Sequence, residues 1–127
     1  MRYILKKTLE QIISSGNNYL VAVKANQPKL FNEIARQFEQ APILSVQTET
    51  EKTRTRQTQR SVMIINTVEG IDSDWVGVER FIRVQRSDTR DNEPYDQTVF
   101  YMSSLSFDAG GFAEYIRAHW QIENCLH

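Results

Sequence analysis

Tyr19-Leu20-Val21-Ala22-Val23 is an unbroken apolar run, bounded by Gly16-Asn17-Asn18 before it and Lys24-Ala25-Asn26-Gln27-Pro28 after it. A run this short, apolar on both faces, predicts a strand buried between helices, as in an α/β sheet. Its flanks agree. Leu5, Leu9, Ile12 and Ile13 form one apolar stripe and predict a helix over Lys6–Ser15, with Gly16 as its stop. Pro28 suits the first turn of a helix, and Leu30, Phe31, Ile34 and Phe38 predict one over Lys29–Gln40, ended near Pro42.

Beyond residue 45 the pattern changes. Thr53–Val68, Val78–Arg86 and Gln97–Ser103 are the predicted strands, separated by loops at Glu69–Asp74 and Ser87–Asp96. Ser106 or Asp108 then caps a last helix that runs from about Ala109 to the end. This order reads as part of an α/β core (1–44), a β-rich insertion (45–105) and a terminal core helix (106–127). The chain stops at His127 inside an apolar periodic segment without a cap, so either that helix frays or the native polypeptide continued.

A length of 127 residues fits one domain. Fifteen Lys+Arg against 16 Asp+Glu leave a net charge of −1, which excludes a histone-like basic protein but not a local basic patch. The apolar runs are too short to cross a bilayer, and the first residues lack a signal-peptide core, so the expected compartment is the cytoplasm. The single cysteine, Cys125, forms no internal disulfide, and no Cys/His cluster has zinc-ligand spacing.

Glu123 stands out chemically. On a helix, Phe112, Tyr115, Ile116, His119, Trp120, Ile122 and Leu126 gather on one side, and Glu123 falls among them. A carboxylate there is costly to bury unless paired, protonated or bound to a cation. Spacing leaves two readings open: a pair with His119 at i, i+4, or an active-site carboxylate. Seven of the ten arginines fall between residues 54 and 90. Arg54, Arg56 and Arg60, all even-numbered, are expected on one face of a strand, where they track phosphates or simply solvate a sheet edge. Lys24, Asn26 and Gln27 follow the apolar strand, and ligands gather at such strand ends in open α/β sheets; loop capping is the plainer alternative. No Ser or Cys nucleophile matches His119, and there is no glycine-rich phosphate loop.

Residues 16–28 resemble the "YxxAxKxNQP" strand-and-turn of bacterial insertion-sequence transposases of the H-repeat-associated (ISAs-type) kind. Ile116-Arg117-Ala118-His119-Trp120-Gln121-Ile122-Glu123-Asn124-Cys125-Leu126-His127 resembles that family's "IRxHWxIENxLH" helix. Glu51-Lys52-Thr53-Arg54-Thr55-Arg56 and Tyr101-Met102-Ser103-Ser104-Leu105 match further landmarks in order. The resemblance implies a DDE-class enzyme with a ribonuclease H-like core and a β-rich insertion, acting on DNA through Mg²⁺ held by two aspartates and a glutamate. It maps the glutamate onto Glu123, the site's metal ligand, with His119 beside it as a further catalytic candidate. Broader relatives carry a Tyr-x2-Arg-x3-Glu-x6-Lys signature; here Ile116 and His119 hold the Tyr and Arg places. Both family aspartates precede this segment, whereas no Asp occurs before Asp72. The resemblance therefore implies a C-terminal-half remnant of a transposase, inactive alone because one carboxylate does not organise two hard cations needing about six oxygen ligands each. The alternatives are a DNA-binding module, or a regulator that self-associates or joins an intact transposase, or a product with no selected role. A strand stripped of its core neighbours also predicts marginal stability as a monomer.

Overall fold

The computed structural model describes residues 2–24, 27–66, 71, 75–90 and 93–126, with side chains described over 6–118 except 90, 93 and 95 within those ranges. Its order is α1 (Arg2–Ser14), β1 (Leu20–Val23), α2 (Pro28–Gln40), β2 (Ser45–Lys52), β3 (Arg56–Ile65), β4 (Arg80–Arg90), β5 (Glu93–Ser103) and α3 (Ala109–Leu126). The fold is α/β: one five-stranded sheet in the order β1-β5-β4-β3-β2, antiparallel at every pairing.

Period-two alternation along β3 and β4 sends apolar side chains to both faces. On one face, Ile65, Phe81, Phe100 and Met102 meet Leu9 of α1 and Leu30, Ile34 and Phe38 of α2. The Phe31 ring stands edge-on to Phe100 at 5.2 Å between centroids, a favoured aromatic geometry. On the other face, Val62, Ile64, Ile82 and Val84 receive Ala109, Phe112, Ala113 and Ile116 of α3. The helix ends follow their sequence signals. Gly16 takes φ +80°, and Gly16 N–H and Asn17 N–H donate to the Ile13 and Ile12 carbonyls, closing α1 in a Schellman turn. Pro28 opens α2, where no backbone N–H is missed.

The apolar run departs from expectation. β1 is an edge strand, hydrogen-bonded on one side to β5, with Ala22 exposed and Leu20 and Val21 half-buried. Its apolar character serves Val23, which is buried beneath α1 and α2, and a dry end anchored by Tyr19. Ser103 Oγ donates to the Tyr19 carbonyl at 2.6 Å, and Tyr19 N–H donates to Ser104 Oγ at 2.8 Å. Among the described residues of this chain, β1 therefore meets a neighbouring strand on one side only.

β2 has no counterpart among the predicted strands, because Val46 is its one aliphatic residue and no alternation is visible in Ser45–Lys52. Pairing with β3 over its whole length builds it instead. The loop expected at Ser87–Asp96 is mostly strand as well: β4 and β5 continue to Arg90 and from Glu93. Pro94 is tolerated because β1 reaches only Phe100–Ser103, leaving β5 with one unpaired side at that level. Conversely, Thr53-Arg54-Thr55 is not strand but the connection between β2 and β3. Most of the Glu69–Asp74 loop, and the Thr67–Val68 end of the first expected strand, lie outside the described residues.

Tyr19 gives a pH signature. Its hydroxyl donates to the Val76 carbonyl at 2.7 Å, and burial, reinforced by the Glu79 charge, pushes the phenol up to about 12. The native state thus favours the protonated phenol. That contribution is complete below about pH 10, where an unfolded tyrosine ionises, and is lost as pH rises through about 12. Urea unfolding across this window is expected to lose stability at up to ~1.4 kcal/mol per pH unit, and Tyr19→Phe to remove that component.

Candidate nucleic-acid interface

At the sheet end formed by Arg56–Ser61 and Gln85–Arg90 the two faces differ. On the side of α1 and α2, Thr48, Gln59, Ser61, Gln85, Ser87 and Thr98 form a polar surface that also carries the Asp96 carboxylate and has no arginine among them. On the α3 side the same strands present Glu49, Arg56, Thr58, Arg60, Arg86 and Asp88. Register explains the separation, since even positions of β3 lie opposite even positions of β4.

Asp88 organises the charged face. It is 4% exposed. Arg56 Nε donates to both of its oxygens at 3.0 Å and Arg56 Nη2 to Oδ2 at 2.5 Å, while the Thr58 hydroxyl donates to Oδ1 at 3.2 Å. Arg86 Nη2 stands 3.8 Å from Oδ2. The hydrogen bonds to Asp88 hold the Arg56 guanidinium more firmly protonated than usual, with the Asp88 and Glu51 charges adding to the effect. Arg56 is thereby committed within the sheet. The expected stripe of three arginines resolves into different roles: Arg54 is exposed in the β2–β3 connection, Arg56 is spent on Asp88, and Arg60 makes no ion pair among the described residues.

α3 is laid along the edge of this face. Asp108 caps it, its Oδ1 accepting the Gly111 N–H at 2.8 Å. Ala109 N–H donates to Ser45 Oγ at 3.1 Å at the start of β2, and Arg117 pairs with Glu49 further along the same strand. Eight helical residues rise about 12 Å and four strand residues about 13 Å, so helix and strand advance together. The backbone stays helical to Leu126, carrying His119 and Glu123 onward. The side chains of His119 and Glu123 lie outside the described residues, as does Asn26.

Lys24 is exposed just after β1, and Gln27 is the residue before α2, its carbonyl accepting the Phe31 N–H. No described side-chain contact joins either to Arg56 or Arg60. Sequence reasoning missed Asp88, Arg86 and the Glu49–Arg117 pair. The signal for Asp88 was its spacing from Arg86 on the same strand face, hidden by assigning the segment to a loop.

Among the described residues no group of three His, Cys, Asp or Glu side chains lies where it could hold a metal ion. Asp88 is engaged by arginines and Asp108 by the helix start. The described donors do not fit Mg²⁺. Nor is any described helix long and apolar enough to cross a membrane.

Two landmarks noted in the sequence meet directly here, since Leu20–Val23 pairs with Phe100–Ser103. No solved structure matches the chain. It is 26% identical over 133 aligned positions to the curated protein YbfL of Escherichia coli (strain K12), an alignment covering 96% of this chain and 35% of that protein. The chain thus spans about a third of that relative's length. The family model described as "Transposase DDE domain" matches residues 2–127, and the chain belongs to that family.

Proposed function

We propose that this chain is the glutamate-bearing portion of an insertion-sequence transposase of the H-repeat-associated kind, acting in DNA transposition. Its α1–β1–α2 unit and α3 belong to a ribonuclease H-like core, and residues 45–105 are the insertion. Glu123 is the one metal carboxylate this portion contributes, with His119 one turn before it; aspartates from elsewhere complete the Mg²⁺ site. Lys24, Asn26, Gln27, Arg54 and Arg60 meet DNA, while Arg56 serves them by holding the sheet end together. The portion alone does not cleave DNA.

The observation that carries this reading is the family match across 2–127, combined with a helix that runs beside an arginine-bearing sheet face. Binding of the chain to duplex DNA is expected to weaken steeply with salt, and Arg54→Ala/Arg60→Ala to reduce the log–log slope by about two. Electrophoretic mobility across a salt series measures this. Salt-independent binding, or a slope indifferent to both arginines, sinks the DNA contact. Mg²⁺-dependent cleavage by the chain alone, abolished by Glu123→Gln, overturns the assignment of inactivity.

A further inference from the structure

Arg60 and Arg86 are directly opposite one another on β3 and β4. Like charges in that relation repel and need compensation. Little is available. Asp88 gives its closest contacts to Arg56 and approaches Arg86 only at 3.8 Å. Glu49, opposite Arg60 on β2, is paired with Arg117. The Arg86 Nε is buried without a hydrogen-bond partner. Arg60 and Arg86 line a cavity of about 40 Å³ together with Gln97, Val84, Val99 and Tyr101 of the sheet and Ile116 of α3, and most of its lining is apolar. A water needs roughly 10–15 Å³ by the same measure, so there is room for about three waters, the size of a tetrahedral oxyanion.

We infer that Arg60, Arg86 and Gln97 form a phosphate-binding pocket between the sheet and α3. Two arginine forks supply charge-assisted donors suited to phosphate oxygens, and the Gln97 amide adds a neutral one. The apolar part of the lining lowers the local dielectric and strengthens those contacts. Bound phosphate removes the Arg60–Arg86 repulsion and gives the orphaned Nε an acceptor. Ile116 precedes Glu123 by seven residues on one helix, about 10 Å along the axis, so occupancy would brace that helix against the sheet. The pocket stands on its own geometry; that its phosphate belongs to DNA rests on the function proposed above.

Thermal unfolding at constant ionic strength, with chloride exchanged for inorganic phosphate, provides the test. A ligand that binds only the native state raises Tm. Phosphate also favours burial in any protein, so the informative quantity is the difference between wild type and variants. Arg86→Gln and Arg60→Gln are each expected to lose the specific rise and to weaken phosphate binding at least ~10-fold. Arg86→Lys should restore part of it, keeping the charge without the fork. Independently of any variant, the Arg86 Nε–H resonance of the wild-type chain should shift saturably with phosphate. An equal rise in all variants, or no saturable shift, overturns the pocket. Competition by a duplex lacking terminal phosphates identifies a backbone phosphate, and competition by a 5′-phosphorylated strand alone identifies a terminal one. Phosphate binding that neither DNA displaces upholds the pocket and sinks the DNA reading. DNA binding that is indifferent to Arg86→Gln, with no phosphate shift, does the reverse.

Discussion

Phe112→Ala is expected to destabilise the chain by ~3–5 kcal/mol, the usual cost of deleting a fully buried phenyl ring. Phe112 is 0% exposed and packs in the cluster formed by Val62, Ile64 and Ile82 of the sheet with Ala109 and Ile116 of its own helix. Its ring centroid is 5.4 Å from that of Phe107, so the loss extends to the segment leading into the helix. The polar anchors that remain, Ser45 to the Ala109 N–H and Glu49 to Arg117, are exposed or half-buried and worth about 1 kcal/mol each at most. They do not hold α3 once the ring is gone. Urea titration gives the energy, and amide exchange should show protection lost over residues 109–118 while β3, β4 and β5 keep theirs. A cost below ~1 kcal/mol with α3 still protected would show that the helix is held by something other than this contact.

Asp88→Asn carries the second large effect. Breaking a buried ion pair by removing one partner typically costs 3–5 kcal/mol, because the surviving charge is left unpaired. Here the survivor is Arg56, whose side chain is 36% exposed and regains water, so the lower range of ~2–3 kcal/mol applies. For a chain of this length that corresponds to a fall in Tm of about 10 °C. The variant also leaves Arg56, Arg60 and Arg86 on one sheet face with no facing carboxylate in β4, so its stability should rise with salt more than the wild type's. Arg56→Met/Asp88→Leu should cost less than the two single changes summed, since it removes both charges together. Strict additivity would falsify the pairing as an energetic unit.

How far the sequence foretold the fold depends on where helices cover the sheet. α2 was legible almost to the residue because Leu30, Ile34 and Phe38 repeat at helical spacing and each is buried. β3 and β4 were legible where Val62, Ile64, Phe81 and Ile82 are packed on both sides, and not where they run out under solvent as Gln, Thr and Ser. β2 left almost no hydrophobic trace, being an edge strand. The apolar β1 was misplaced for the opposite reason. Composition reports that a strand is dry, and β1 is dry at Val23, as is Tyr19 just before it, through α1, α2 and Ser103 rather than through two flanking strands. Of the interface, spacing found the arginines, but their pairing depends on Asp88, 32 residues from Arg56 and brought to it only by the β3–β4 register.

The one strand that leaves sequence order also sets the order of assembly. β2 through β5 form a meander in which each pairs with the next, whereas Tyr19 is fixed by Ser103, 84 residues away. Short closures are made before long ones, so the meander can zip while β1 waits. During synthesis the wait is longest of all. The most apolar strand leaves the ribosome well before β5, its partner among the described residues. Until then two apolar strand edges, Leu20–Val23 and Phe100–Ser103, must stay apart from every other chain in the cell.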